Sequence, residues 1–108
     1  MAFDEDLAQR IRLKLEPFSN DVLEKRMFGG ISFLYKGKMS VGIVKSELCV
    51  RYLEDKYPDL MKEANVRPMD FTGKPMKEMA YVSQDSFQND EDLMRWINMG
   101  IEHAQSKQ

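Results

Sequence analysis

Between Ile31 and Tyr52 apolar residues recur at every second position in three short runs. Ile31, Phe33 and Tyr35 share one parity, and beyond Lys36-Gly37-Lys38 the residues Met39, Val41 and Ile43 share it too. This is the pattern of half-buried strands, because successive side chains of an extended backbone point to opposite faces. Parity also constrains the turn. A two-residue loop at Lys36-Gly37 sets Phe33 opposite Ser40 and leaves the two apolar sets on opposite faces. A three-residue loop, either Tyr35-Lys36-Gly37 or Lys36-Gly37-Lys38, joins the sets on one face and is the expectation. A two-residue loop at Lys45-Ser46 then sets Ile43, Val41 and Met39 against Leu48, Val50 and Tyr52, which makes an antiparallel meander with one apolar face. Upstream, a basic strand containing Lys25, Arg26 and Met27 ends at Gly29-Gly30. Paired glycines there permit a positive φ, a bulge or a close backbone approach.

Outside the meander the period lengthens to that of a helix. Asp4 caps a first helix with the stripe Leu7, Ala8, Ile11 and Leu15, Phe3 staples back towards Ala8, and Pro17 ends the helix. A short second helix carries Tyr57, Leu60, Met61 and Ala64, with Pro58 in its first turn and Asn65 as a left-handed stop. The third has the strongest signal. Asn89 or Asp90 caps it, Asp90 to Asp92 place negative charge at its positive end, and Leu93, Trp96, Ile97, Gly100, Ile101 and Ala104 form one face. Gly100 on that face predicts a close approach to a strand or another helix. Residues 67 to 82 carry Arg67-Pro68-Met69 and Lys74-Pro75-Met76 around Thr72-Gly73; the prolines disfavour a helix, so short strands are expected near Met69 to Phe71 and from Met79 to Ser83. The expected fold is α+β with two layers, an antiparallel meander packed with about three helices in the order α-β-β-β-β-α-β-β-α.

Length and composition narrow the classes. At 108 residues the chain is one domain, 1–108, with room for a single core. No apolar run approaches the ~20 residues of a membrane span, and no signal peptide opens the chain, so it reads as cytoplasmic. The net charge of −2 does not point to a generic polyanion binder, but the charge is uneven. Residues 25 to 51 hold six basic residues against Glu47 alone, a local +5. Lys25, Arg26, Lys36, Lys38, Arg51 and, further on, Arg67 are therefore the candidate surface for an acidic protein or a nucleic-acid backbone. Lysines at turns and strand edges also keep a sheet soluble, and that plainer role comes first. The nine methionines mostly fall on core faces, Met27, Met39, Met61 and Met79 among them, with Met69 and Met76 as the more exposed pair.

No constellation carries chemistry. His103, the only histidine, falls near a helix end where a cation suits the dipole, and Cys49, the only cysteine, falls inside a strand as a packed thiol. One of each makes neither a zinc set nor a nucleophile-base arrangement. The acidic clusters sit at helix starts and lack the spacing of a calcium loop. Gly29-Gly30 opens a strand, not a helix with Lys-Ser/Thr, so both nucleotide fingerprints fail. No catalytic residue, metal or cofactor is assigned.

Lys25-Arg26-Met27-Phe28-Gly29-Gly30, Phe33, Gly37-Lys38-Met39, Arg51, the segment 67 to 76 and the closing Asp92-Leu93 with Trp96 together resemble the TfoX (Sxy) amino-terminal domain. The resemblance covers nearly the whole chain. It implies a compact α+β domain similar to those of competence regulators, which act with the cyclic-AMP receptor protein at promoters, here in a stand-alone version without a carboxy-terminal helical domain. It brings no catalytic motif. The expected function is thus a non-enzymatic regulatory or adaptor domain contacting a protein of the transcription machinery or a separate regulatory chain, as a monomer or homodimer and away from membranes. Direct nucleic-acid binding through the basic meander is the alternative, and a small-ligand or enzymatic crevice beside Gly29-Gly30 and Arg67 ranks last.

Overall fold

The computed structural model describes residues 4–27, 30–70 and 75–107. Helix α1 (Glu5–Leu15) leads into a short 3-10 turn and then four strands, β1 (Val22–Met27), β2 (Gly30–Tyr35), β3 (Lys38–Val44) and β4 (Glu47–Arg51). A second 3-10 turn and α2 (Tyr57–Leu60) precede β5 (Val66–Asp70) and β6 (Pro75–Val82), and α3 (Asp90–Ser106) closes the described chain. The strands form one antiparallel sheet in the order β1-β2-β3-β4-β6-β5. The element order is the expected one, and so is the two-layer α+β plan.

The β2–β3 turn corrects the expected loop length. Tyr35 pairs with Lys38 across a two-residue turn, and Lys36 and Gly37 both have positive φ, 50° and 85°, as a type I′ turn requires. Parity is restored one step later by a bulge. Leu34 pairs with Met39, then the register shifts and Phe33 pairs with Val41 and Ile31 with Ile43. Ser40 is the extra residue, fully buried, and its hydroxyl donates to the Phe33 carbonyl at 2.9 Å. The I′ turn matches the twist of its strands, and the bulge then returns the apolar sets to one face. The bulge also moves Met39 onto the Leu34 side. The next hairpin matches expectation, with Val44 opposite Glu47, Ile43 opposite Leu48 and Val41 opposite Val50.

All three helices bury apolar residues against one face of the sheet. Leu7, Ala8, Ile11 and Leu15 of α1, Leu60 of α2, and Leu93, Trp96, Ile97, Ile101 and Ala104 of α3 join Ile31, Phe33, Val41, Ile43, Leu48, Val50, Ala80 and Val82 in a single core. Burying each large aliphatic of that set stabilises the fold by about 1.5–3 kcal/mol before conformational entropy is set against it. The caps are as expected: Asp4 accepts from the Leu7 N–H at 3.1 Å and Asn89 from the Asp92 N–H at 2.8 Å. Trp96 is 1% exposed and donates its indole N–H to the Ser86 carbonyl at 3.0 Å.

The expected close approach of α3 is made by Gly100. A Cβ at that position would lie 2.3 Å from the Ser40 carbonyl oxygen, so the helix seats directly on the bulge. Gly30 serves similarly inside the sheet, where a Cβ would lie 2.0 Å from the Ile43 carbonyl oxygen. The second helix is shorter than its apolar spacing predicts. It ends at Leu60 in a succession of turns, with Met61 half-buried against the core and Ala64 exposed. The strands around the proline-rich segment run Val66–Asp70 and Pro75–Val82, longer than expected. Phe3, the Gly29 bend and the Thr72-Gly73 turn lie outside the described residues, as do the side chains of Met27, Met69 and Met76.

Candidate interaction surface

Alternation along the strands divides the side chains into two sets. Those facing the helices build the core. Those facing away include Leu23 and Lys25 of β1, Leu34 of β2, Met39 and Val44 of β3, Cys49 and Arg51 of β4, Met79 and Tyr81 of β6 and Arg67 of β5, as the pairings Leu23–Leu34–Met39, Arg51–Met79 and Cys49–Tyr81–Arg67 require. No described helix covers this second face. Cys49 and Met79 are nonetheless buried, in a small apolar cluster with half-buried Met39, Val44 and Tyr81. Two of the methionines assigned to core faces, Met39 and Met79, thus belong to the helix-free side.

The Cys49 thiol is pushed up to about 12 by its burial, with the charge of Glu47 adding to the shift, so at neutral pH it is a packed, protonated group. Arg67 lies 4.9 Å over the Tyr81 ring and pairs with Glu47. That arrangement tiles one end of the face with a stacked guanidinium, whose charge is largely answered by the carboxylate.

The six basic residues singled out in the sequence do not converge. Lys36 and Lys38 lie exposed at the β2–β3 turn, the Lys36 ammonium 5.6 Å from the Tyr35 ring centre, and Arg51 is half-buried at the same end of the sheet. Lys25 and Arg26 lie towards the other end of edge strand β1 and point to opposite faces. Arg67 occupies the opposite edge, separated from Gly30 by β3, β4 and β6, so no single crevice joins the two.

The helix-facing side holds a polar group that periodicity left unassigned. Glu78, cross-strand neighbour of Tyr52 through the Tyr52 N–H bond to its carbonyl at 3.2 Å, lies between the Lys107 ammonium at 3.4 Å and the His103 Nε2 at 3.7 Å. His103 is 5% exposed and neither ring nitrogen has a hydrogen-bond partner; the buried Tyr52 hydroxyl likewise has none. Burial lowers the His103 pKa, opposed by Glu78 and assisted by Arg51 and Lys107. Burial also raises Glu78, but the Lys107 ammonium and His103 outweigh it and hold the carboxylate below its usual value. Because the imidazole is neutral at pH 7, Lys107 is the cation that matters to Glu78 there. Among the described residues no group of three or more His, Cys, Asp or Glu is placed to hold a metal ion, and no helix is long and apolar enough to cross a membrane. The signal for this cluster was Glu78 itself, an acidic residue sharing the inward parity of Ala80 and Val82.

A family profile for the TfoX N-terminal domain matches residues 14–104, from the end of α1 to the end of the α3 apolar face. The chain belongs to the TfoX N-terminal domain family. The match spans every strand and α3 as far as Ala104, so the TfoX domain comprises both the sheet and the helix that seats on its bulge. Comparison with curated proteins gives no match. Within the TfoX domain the residues that carried the resemblance fall into two kinds. Gly30, Phe33, Leu93 and Trp96 hold the fold, whereas Lys38, Met39, Arg51 and Arg67 sit on or beside the helix-free face.

Proposed function

We propose that this TfoX domain is a non-enzymatic regulatory adaptor that acts by protein contact, and that the helix-free face of the sheet is its contact surface. One observation carries the reading: a sheet face that no described helix covers presents Leu34, Met39, Val44 and Tyr81 half-exposed, with Lys25, Arg51 and Arg67 around them. Apolar atoms beside cations suit a partner segment with apolar and acidic side chains, since the first gain from losing water and the second from charge complementarity. Membership in a family tied to competence regulation supports placing the partner in the transcription machinery or in a separate regulatory chain. Nucleic-acid binding draws less support from this geometry, because the basic residues are divided between ends and edges and Arg67 is already paired.

The test is comparative affinity capture from native lysate, using the wild-type chain, the outer-face pair Met39→Asp with Arg51→Glu, and Leu13→Asp on the exposed side of α1 as control. A defined protein should be recovered by wild type and control and lost with the outer-face pair. Recovery of no defined protein, or equal recovery by all three, rejects the reading. Salt-sensitive binding to duplex DNA that falls when Lys36 and Lys38 become Glu would favour the nucleic-acid alternative.

A further inference from the structure

Strand β1 ends the sheet. Its neighbour on one side is β2, and no described strand lies on the other. The Lys36 N–H donates to the Asp21 carbonyl at 2.7 Å beside the Val22–Tyr35 pair, which fixes the alternation of the backbone. Leu23 and Lys25 turn their N–H and C=O groups towards β2, whereas Val22 and Glu24 turn theirs to the open side. Leu23 is 69% exposed, one of two large apolar side chains so exposed in the described chain. It continues the row Met39–Leu34–Leu23 across the helix-free face to its edge. Next to it, on the helix side of the strand, opens a groove of about 370 Å³ lined by Arg12, Leu15, Val22, Leu23, Glu24 and Phe33.

We propose that β1 is a self-pairing edge, at which a second copy of this chain adds antiparallel with Leu23 facing Leu23. Symmetry and charge select this register. Paired residues in a sheet share a face, so a two-fold pairing of one strand must set some residue opposite its own copy. Centring on Glu24 opposes two carboxylates and sets Leu23 against Lys25. Centring on Lys25 opposes two ammonium groups, and centring on Val22 sets Leu23 against Asp21.

Only the Leu23 centre opposes no like charges and keeps the apolar side chains together. In that register Asp21 of each copy faces Lys25 of the other, and Val22 faces Glu24 in two hydrogen-bonded pairs, which supply four backbone bonds. The Glu24 carboxylate meanwhile stays on the helix side, where Arg12 holds it with two bonds of 2.8 Å. Lys25, which blunts an edge in other alignments, here chooses the alignment. The paired sheet runs through both copies and doubles the helix-free face. A single strand contributes a small interface, so the association is weak and concentration-dependent.

Cysteine cross-linking tests the register and charge exchange tests its cause. Leu23 and its copy form a non-hydrogen-bonded pair with Cα atoms about 4.5 Å apart, a separation that a disulfide spans. Leu23→Cys should form disulfide-linked dimers under mild oxidation more than about tenfold faster than Leu13→Cys, the equally exposed control on α1, because pairing raises the local thiol concentration. Buried Cys49 does not compete. By sedimentation equilibrium the wild-type chain should show a concentration-dependent mass above the monomer, Lys25→Asp should be monomeric, and Asp21→Lys combined with Lys25→Asp should pair again. Equal cross-linking at positions 13 and 23, a wild-type monomer at every concentration, or an exchange variant that stays monomeric overturns the proposal. These readouts use the purified chain alone, so they can fail or succeed independently of partner capture.

Discussion

At Gly100 two local rules oppose each other. Glycine inside a helix costs roughly 0.5–1 kcal/mol relative to alanine, so alanine would be the better helix former. Yet an added methyl would lie 2.3 Å from the Ser40 carbonyl oxygen and 2.7 Å from its carbon, both backbone atoms inside the sheet. The contact wins, because neither the helix, anchored by Trp96, Ile97 and Ile101, nor the bulge can retreat cheaply. Gly100→Ala should destabilise the fold by about 1–3 kcal/mol in urea denaturation despite its gain in helix propensity. A neutral or stabilised variant would mean that the helix rides higher on the sheet. The sequence signalled this residue because glycine on an apolar stripe has no helical rationale. It did not signal His103 in the same way: position 103 lies on the same stripe, but its neighbour Glu78 is reached only through the β6 register.

Among the elements, the β2–β3 hairpin shows where period-two reasoning succeeds and where it stops. Parity demanded that Phe33 and Val41 share a face, and they do; it could not distinguish one extra residue in the loop from one extra residue in the strand. The positive φ values of Lys36 and Gly37 place the I′ turn at the tip, and the buried Ser40 hydroxyl on the Phe33 carbonyl supports the bulge behind it. Ser40→Ala leaves that carbonyl without its side-chain donor in a buried site and should cost about 1–3 kcal/mol, while the circular-dichroism spectrum of the folded chain stays unchanged. A cost near zero would show that the hydroxyl is incidental to the bulge. The second helix is likewise shorter than its spacing predicts. Tyr57, Leu60, Met61 and Ala64 have helical spacing, but four residues from Tyr57 to Leu60 suffice to bury Leu60, and the chain then turns towards β5.

For the whole molecule, the polar cluster under the end of α3 makes stability depend on pH. Burial holds His103 neutral, with its pKa below the ordinary 6.5; the Glu78 carboxylate of β6 opposes the shift, and the charges of Arg51 and Lys107 assist it. The unfolded chain therefore takes up a proton that the folded chain resists. The stability contributed by the neutral imidazole is fully present above pH ~6.5, and it falls as pH drops from there towards the lowered native value. Glu78, held below its ordinary 4.5, adds a second loss as pH falls from about 4.5 towards its lowered native value. Urea midpoints should decline from pH 7 to pH 5 in the wild type and less steeply in His103→Leu, which removes both unpartnered nitrogens; parallel declines would remove His103 from the account. Such a cluster is hard to read from sequence, since it joins Glu78 of β6 to His103 and Lys107 at the end of α3, which are distant along the chain. The helix-free face was half legible for a related reason. Alternation named its residues, but the one-residue shift at Ser40 decided which face Met39 joined.

That shift has a consequence for kinship. The bulge pushes the Ser40 carbonyl up under α3, and the absence of a side chain at Gly100 makes room for it, so neither feature has reason to persist without the other. Relatives that carry a bulkier residue at the helix position should also have lost one residue from the hairpin, and lineages that keep the hairpin at full length should keep the glycine. The two positions lie sixty residues apart in the chain, yet descent should treat them as one character.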